Sequence, residues 1–158
     1  DDDDDDDDSA STDVTDDDAR LPENLTVVVV DDSSLNRTCV IRALARVQRE
    51  TGAANWTFHQ FETIEQAQPC LREIHDAEKK AVVCLDEQMG SRGGVMTGIQ
   101  GTKWLLHDLH FKGIVISTSG DPDAGLAHIK LGAHYSWGKP LPKHEQILDD
   151  LLTAFAAT

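Results

Sequence analysis

Short apolar runs alternate with longer amphipathic segments along the chain from residue 25 onward. The run from Leu25 to Val30 is continuous and β-branched, which predicts a strand buried on both faces. Polar and apolar residues alternate in the second run, which favours a position at the sheet edge. The five predicted strands are Leu25–Val30, Trp56–Phe61, Ala81–Leu85, Gly113–Ser117 and about His134–Trp137.

Apolar residues between these runs recur at helical spacing, and capping residues bound several of the segments. Ser33 and Thr63 are suited to N-caps, and Asp121 followed by Pro122 opens a short helix. Gly52 and Gly132 are suited to the ends of helices. The predicted helices are 33 to about 50, 63 to about 77 with Pro69 inside, roughly 101–109, 121–132 and 142–155.

A strand followed by a helix, repeated five times, predicts an α/β fold with a doubly wound, five-stranded parallel sheet. Right-handed crossovers place helices on both faces of such a sheet. The expected architecture is flavodoxin-like (βα)5 with strand order 2-1-3-4-5. Ligands of such folds bind outside the carboxyl ends of the strands, so polar residues at those ends are the candidate functional residues.

Five polar residues lie at the predicted strand ends: Asp31, Asp32, Asp86, Thr118 and Lys139. Three carboxylates held together repel one another and favour a divalent cation such as Mg²⁺. An ammonium and a hydroxyl beside them suit a phosphoryl group on an aspartate. Each residue alone has an ordinary explanation, as a helix cap, a turn residue, a strand end or a surface lysine. The functional hypothesis depends on all of them converging.

Charge is distributed very unevenly along the 158 residues. The first 18 residues contain 12 of the 29 acidic residues, which leaves 17 acidic against 14 basic residues, a net charge of −3, in the rest. We expect residues 1–20 to be a disordered acidic tail that acts as a solubilising or linker segment. An attraction for basic partners or cations is the alternative for this tail. The rest of the chain has the composition of one mildly acidic domain.

Several partner classes are disfavoured by the composition. The sequence lacks the stripe of Lys and Arg residues that is typical of nucleic acid binding. Its apolar segments are too short to predict a membrane span, and no signal peptide is recognised at its start. Cys39, Cys70 and Cys84 lie in apolar stretches without metal-ligand spacing. We expect them to be buried core residues in a reducing compartment, and the protein to be cytoplasmic or the cytoplasmic part of a membrane-associated kinase.

Four motifs in this order resemble the receiver domain of two-component response regulators, especially the hybrid histidine kinase type. They are VVVVDDSSLNR (27–37), VVCLDEQM (82–89), IVISTSG (114–120) and GAHYSWGKPL (132–141). The resemblance covers residues 25–156 as one receiver domain. It suggests a stand-alone regulator, a phosphorelay intermediate or, as the first motif favours, a piece of a hybrid kinase.

The resemblance implies a role for each candidate residue. Asp86 would be the phosphoacceptor, and Mg²⁺ would be bound by Asp31, Asp32, Asp86 and the backbone carbonyl of Gln88. The phosphoryl group would be bound, and the switch made, by Thr118, Ser119, Lys139 and Pro140. The bond before Pro140 is commonly cis in the family. The donor would be a histidine kinase or a histidine phosphotransfer protein.

Two segments depart from the family pattern. The loop from Asp86 to Gly101 is long, 15 residues, and the segment 90–101 contains five glycines, counting Gly90 and Gly101. We expect a slack, mobile surface loop in preference to a lid over the site. In the fifth strand Ser136 occupies the usual place of a switch aromatic, which leaves Tyr135 and Trp137 as candidates for that role.

The function predicted from the sequence is a non-enzymatic phosphorelay receiver that signals through a conformational switch. Its fourth helix, fifth strand and fifth helix would form a dimer or effector contact. The sequence leaves two alternatives open. One is a receiver-like binding module that works without phosphorylation. The other is a phosphohydrolase of the haloacid dehalogenase type, although its Asp-x-Asp motif is missing because Ser33 and Ser34 follow Asp32.

Overall fold

The computed structural model describes residues 20–158, and these residues form a five-stranded parallel sheet in the order β2-β1-β3-β4-β5. The strands are β1 (Thr26–Val30), β2 (Thr57–Phe61), β3 (Ala81–Leu85), β4 (Ile114–Ser117) and β5 (Tyr135–Ser136). The predicted fold class and strand order are confirmed. The prediction of a disordered acidic tail concerns residues that, Arg20 apart, lie outside the described range.

Five α-helices of residues 20–158 cover the two faces of the sheet, and a short 3-10 helix, Gly90–Arg92, lies in the loop after β3. The α-helices are α1 (Ser34–Thr51), α2 (Ile64–Asp76), α3 (Gly98–Lys103, extended by a π-helical turn, Trp104–Asp108), α4 (Pro122–Leu131) and α5 (His144–Ala156). One apolar cluster lies between the sheet and α1 with α5, and a second lies on the side of α2 and α3. Because β1 and β3 are covered on both sides, every one of their residues is buried.

The predicted helix ends are largely those of the structure. The Ser33 hydroxyl accepts a hydrogen bond from the Asn36 amide, and Thr63 caps α2 through the Gln66 amide in the same way. Gly52 ends α1 with φ of 73°, a left-handed conformation that glycine adopts without strain. These local devices explain why α1 begins and ends where the sequence predicted.

The prediction for α3 is wrong at its start. The helix begins at Gly98, three residues before Gly101. Thr97 is the N-cap, and its capping box with Gln100 is complete, since each side chain accepts a hydrogen bond from the other residue's amide. The long loop therefore ends at Thr97. The last helix also begins later than predicted, at His144 instead of Pro142.

The cysteines differ from the prediction. Only Cys84 is buried, whereas Cys70 is half-buried and Cys39 is exposed on α1. Apolar neighbours along the sequence did not distinguish the inner from the outer face of a helix. Among the described helices, none combines the length and the apolar character that crossing a membrane requires.

Candidate functional site at the carboxyl ends of the strands

Three carboxylates lie together at the carboxyl edge of the central strands. Val30 pairs with Leu85 in the sheet, so the residues that follow these two strands are neighbours. The Asp86 amide also donates to the Val30 carbonyl oxygen, at 3.0 Å. One oxygen from each of Asp31, Asp32 and Asp86 lies within 4.8 Å of the others. The three acids that the sequence singled out therefore form one cluster.

Asp31 is the most enclosed member of this cluster. It is 1% exposed, and its Oδ1 accepts a hydrogen bond from the Ser33 amide at 2.9 Å. Burial raises the pKa of Asp31, and the Asp86 carboxylate raises it further, against the opposing effects of the Ser33 amide and the Lys139 ammonium. A positive charge nearby would therefore stabilise the ionised Asp31 carboxylate.

Lys139 reaches the cluster from the loop after β5. Its Nζ is 3.2 Å from Asp31 Oδ2 and 3.1 Å from Asp86 Oδ1. Burial alone would lower the pKa of Lys139, but the Asp86 and Asp31 carboxylates together raise it, so the amine stays protonated. The Lys139–Pro140 peptide bond is cis, as the family resemblance implied.

Thr118 and Ser119 follow β4 at the same edge. The Thr118 amide donates to the carbonyl oxygen of Leu85, the residue before the phosphoacceptor candidate, at 2.9 Å. Thr118 is 1% exposed, and its hydroxyl has no hydrogen-bond partner in the described structure. The Ser119 hydroxyl instead accepts from the Asp121 amide at 3.1 Å. A buried hydroxyl without a partner is unfavourable, and a bound acceptor group would relieve it.

This donor set suits a hard divalent cation and a phosphoryl group. Carboxylate oxygens are the ligands that Mg²⁺ prefers, together with water molecules. Asp31 and Asp86 repel each other, and the Lys139 ammonium is shared between them, so it compensates each carboxylate only in part. Gln88 follows Asp86 by two residues, in the exposed turn beyond β3. The residues present therefore fit the ion that the sequence predicted.

The glycine-rich loop is attached to the site, which the sequence did not predict. The Ser91 hydroxyl donates to Asp32 Oδ2 at 2.6 Å, and the Ser91 amide lies 3.3 Å from the same oxygen. The amides of Val95 and Met96 donate to Glu65 Oε2 on α2, at 3.0 and 2.9 Å. The loop lies at the surface, as expected, but both of its parts are hydrogen-bonded to the body of the protein.

Tyr135 and Trp137 both face α5. They contribute to the apolar cluster shared with α1 and α5, and the Trp137 indole donates to Asp150 Oδ2 at 2.9 Å. Ser136 points to the other face, where its hydroxyl lies against Gly125 of α4. The register is regular, with Tyr135 opposite Ile116, so no bulge turns an aromatic ring toward α4.

A buried polar chain beside Asp86 was missed by sequence reasoning. Glu87 Oε1 accepts from the Ile99 amide at 2.8 Å and lies 3.3 Å from His128 Nε2. His128 Nδ1 is 2.8 Å from the Thr102 hydroxyl. Burial lowers the pKa of His128, although Glu87 and Asp86 oppose this. The only sequence signal was the position of His128, four residues after Ala124 on the inner face of α4.

Comparisons with known proteins give similarity in structure only. No protein-family model matches the chain, and no curated protein matches its sequence. The signal receiver domain of a DNA-binding response regulator (merR) from Colwellia psychrerythraea 34H has a TM-score of 0.62 at 18% identity, covering 85% of this chain and 99% of that one. The signal receiver domain of the putative response regulator NarL from Mycobacterium tuberculosis has a TM-score of 0.58 at 23% identity, covering 86% and 98%.

A third similar structure contains a modified site. It is a response regulator from Burkholderia pseudomallei with a phosphorylated aspartic acid, a calcium ion and citrate. Its TM-score is 0.57 at 20% identity, and the match covers 84% of this chain and 71% of that one. At these identities the comparisons establish the fold of the described residues, which is that of receiver domains.

Proposed function

We propose that residues 25–156 form a phosphorelay receiver domain in which Asp86 accepts a phosphoryl group from phosphohistidine. The observation that carries this proposal is the meeting of Asp31, Asp32 and Asp86 with the Lys139 ammonium at one sheet edge. A receiver fold without these residues would support binding alone, because the chemistry belongs to the site and not to the fold.

In the proposed reaction a carboxylate oxygen of Asp86 attacks phosphorus in line with the phosphorus–nitrogen bond of the donor. The new oxygen–phosphorus bond gives an acyl phosphate, and the electron pair of the broken bond returns to the imidazole nitrogen of the donor, which takes up a proton. Lys139, 3.1 Å from Asp86, stabilises negative charge on the phosphoryl oxygens.

Mg²⁺, when bound, would neutralise charge on the phosphoryl oxygens. Asp31, Asp32, Asp86 and the Gln88 carbonyl would hold it. Pro140 would position Lys139, as the family resemblance implies, and Asp31 Oδ2 lies 3.2 Å from the ammonium. The same carboxylates would thus place both the Lys139 ammonium and the metal ion beside the phosphoryl group.

Thr118 is the proposed switch residue. Its buried hydroxyl lacks a partner, so it would donate to an oxygen of the phosphorylated Asp86. Thr118 and Ser119 precede α4, so this movement would shift that helix between two positions. Tyr135 and Trp137 are left out of the switch because both pack toward α5.

The partners follow from this role. A histidine kinase or a histidine phosphotransfer protein would be the donor, and the proposed location is the cytoplasm. The surface of α4, β5 and α5 would contact a second copy or an effector. On α4, Leu126 is 60% exposed and Ile129 is 39% exposed, which provides apolar area for such a contact.

The test is phosphorylation with acetyl phosphate and Mg²⁺, followed by intact mass measurement. We expect one added phosphoryl group, lost in Asp86→Asn and strongly slowed in Lys139→Met, while Asp121→Asn, an exposed acid beyond the cluster, behaves like the wild type. An unmodified wild-type protein would favour a binding module that works without phosphorylation. Sustained hydrolysis of p-nitrophenyl phosphate would favour a hydrolase instead.

A further inference from the structure

The loop between β3 and α3 touches the acidic cluster at one point. Asp32 Oδ2 accepts the Ser91 hydroxyl at 2.6 Å, and the Ser91 amide is 3.3 Å away. Asp32 is only half-buried, and the other hydrogen bonds of the described residues do not reach its carboxylate. Without Ser91 this carboxylate would be free to rotate in solvent, because a short acidic side chain at a strand end has little else to hold it.

The part of the loop that follows Ser91 is fixed to α2. Glu65 Oε2 accepts the amides of both Val95 and Met96, and the Met96 amide is the main cause of a lowered pKa of Glu65. A side chain added at Gly94 would meet the Met89 carbonyl oxygen at 2.7 Å and the Thr63 methyl group at 3.1 Å. The loop therefore lies close against the start of α2, and glycine makes that approach available.

We propose that Ser91 is a positioning residue for the metal site. The loop Gly90–Thr97 belongs to that site, because through Ser91 it holds the Asp32 carboxylate in the orientation that binds Mg²⁺. This inference rests on the proposed function. A carboxylate oxygen has two lone pairs, so Oδ2 can accept from Ser91 while Asp32 ligates a cation. Hydrogen bonds to ligating carboxylates orient them, and their removal typically lowers metal affinity about 10- to 100-fold.

Fixing Asp32 also favours Mg²⁺ over Ca²⁺. Mg²⁺ requires near-ideal octahedral geometry at short distances, whereas Ca²⁺ accepts six to eight oxygens in a flexible arrangement. Loss of the Ser91 hydrogen bond should therefore weaken Mg²⁺ binding more than Ca²⁺ binding. A general loss of stability would weaken both ions alike, so the ratio of the two affinities separates positioning from a merely structural effect.

The experiment is calorimetric titration of the metal-free full chain with Mg²⁺ and, separately, with Ca²⁺. We expect Ser91→Ala to lower Mg²⁺ affinity about 10-fold and Ca²⁺ affinity by less. Ser91→Thr keeps the hydroxyl and should keep both affinities. Ser34→Ala is the matched control, since Ser34 is exposed two residues from Asp32 and its hydroxyl makes none of the hydrogen bonds found in residues 20–158.

A second pair of variants tests the attachment to α2. Glu65→Gln replaces a charged acceptor with a weaker neutral one and should lower Mg²⁺ affinity in the same direction, by less than Ser91→Ala. Glu73→Gln makes the same change at an exposed position of α2 and should have no effect.

Unchanged or tighter Mg²⁺ binding in Ser91→Ala would overturn the inference and leave the phosphoacceptor proposal intact, provided that the wild type binds Mg²⁺ and is phosphorylated. An equal loss of affinity for both ions would also overturn it. A wild-type protein that binds neither ion would overturn the metal site and this inference together.

Discussion

The ionised carboxylate of Asp31 is stabilised in its environment only when positive charge is near. It is almost fully buried beside the Asp86 carboxylate, and the Lys139 ammonium pairs with its Oδ2. The Arg37 guanidinium donates to the backbone carbonyl oxygen of Asp31 instead, at 2.6 Å. Lys139 is shared with Asp86 and is 32% exposed at its side chain. One ammonium divided between two carboxylates compensates each only in part, so the ionised cluster is under repulsion without a metal ion.

Asp31→Asn should therefore stabilise the metal-free protein. The pKa of Asp31 is raised on folding, so its favourable contribution is present below the unfolded-state pKa and is lost as the pH rises through the folded-state pKa. Asparagine avoids this loss and can still accept from the Ser33 amide. We expect a gain of about 1 kcal/mol in the free energy of unfolding at pH 7, vanishing near pH 4, measured by urea unfolding with chelator.

Mg²⁺ should reverse the order of the two proteins. Binding to the folded state stabilises the wild type in proportion to the logarithm of the Mg²⁺ concentration, while Asp31→Asn lacks a ligand and should gain less. If the metal-free wild type proves at least as stable as Asp31→Asn at pH 7, the cluster is not under the repulsion described here.

The junction between β3 and α3 lies directly against Asp86, the proposed phosphoacceptor. The Gly98 amide donates to the Glu87 carbonyl oxygen at 2.9 Å, and the Ile99 amide donates to the Glu87 side chain at 2.8 Å. The first turn of α3 thus closes on the residues directly after β3. At Gly98 the helix approaches so closely that an added Cβ would overlap the Asp86 carbonyl oxygen.

Gly98→Ala should displace either α3 or Asp86. Since the obstacle is backbone, the neighbour cannot move aside cheaply, and we expect a loss of about 3 kcal/mol in the free energy of unfolding, at the upper end of overpacking effects, together with slower phosphorylation. Gly90→Ala is the matched control, because its added Cβ would meet nothing within 4 Å. Similar unfolding midpoints for the two variants would contradict the tight contact.

Helices α3 and α4 are joined by a buried polar chain from Thr102 through His128 to Glu87. A neutral His128 explains the arrangement, because the Thr102 hydroxyl can then donate to Nδ1 while Nε2–H donates to Glu87. Since such a chain is satisfied only as a whole, it fixes the position of α4 relative to the Asp86 loop.

This chain should make stability depend on pH. The pKa of His128 is lowered by burial, so below about pH 6.5 the unfolded state takes up a proton that the folded state resists. Stability should therefore fall as the pH drops from about 6.5 toward the folded-state pKa. His128→Gln should be less stable at pH 7.5 but show a flatter curve between pH 7 and 5, measured by thermal unfolding. Parallel curves would assign the acid sensitivity to other groups.

At the scale of the molecule, charge and chemistry are separated. The acidic cluster lies at one edge of the sheet, and its three acids belong to neither of the two apolar cores. Most of the net charge of −15 comes from the first 18 residues, whereas the rest of the chain carries only −3. The proposed reacting groups and the loop bonded to Asp32 through Ser91 all lie within residues 20–158.

Removal of residues 1–19 should therefore leave phosphorylation by acetyl phosphate unchanged. The acceptor, the lysine and the carboxylates are retained, and salt at physiological strength screens exposed charges beyond about 8 Å. The measurement compares initial rates of the full chain and a chain beginning at Arg20 over a range of salt concentrations. A large rate difference at physiological salt would show that the acidic segment takes part in the reaction.

The sequence alone determined the fold and the members of the acidic cluster. Apolar runs and helical spacing are local properties that can be recognised in a sequence. Because the carboxyl ends of parallel strands share one edge of the sheet, the sequence also predicted that Asp31, Asp32, Asp86 and Lys139 lie close together. The cis bond before Pro140 followed from the family resemblance.

Only the tertiary structure decided how the cluster is supported. Ser91 reaches Asp32 across 59 positions of sequence, and His128 reaches Glu87 across 41. The periodicity of the sequence predicts neither contact. Each depends on the path of a loop or on the rotation of a helix, which are set by packing. The same holds for the early start of α3, where a capping box at Thr97 outweighed the glycine at 101. Periodicity reports which face of an element is buried, whereas the partner of a polar side chain is known only once all the elements have packed together.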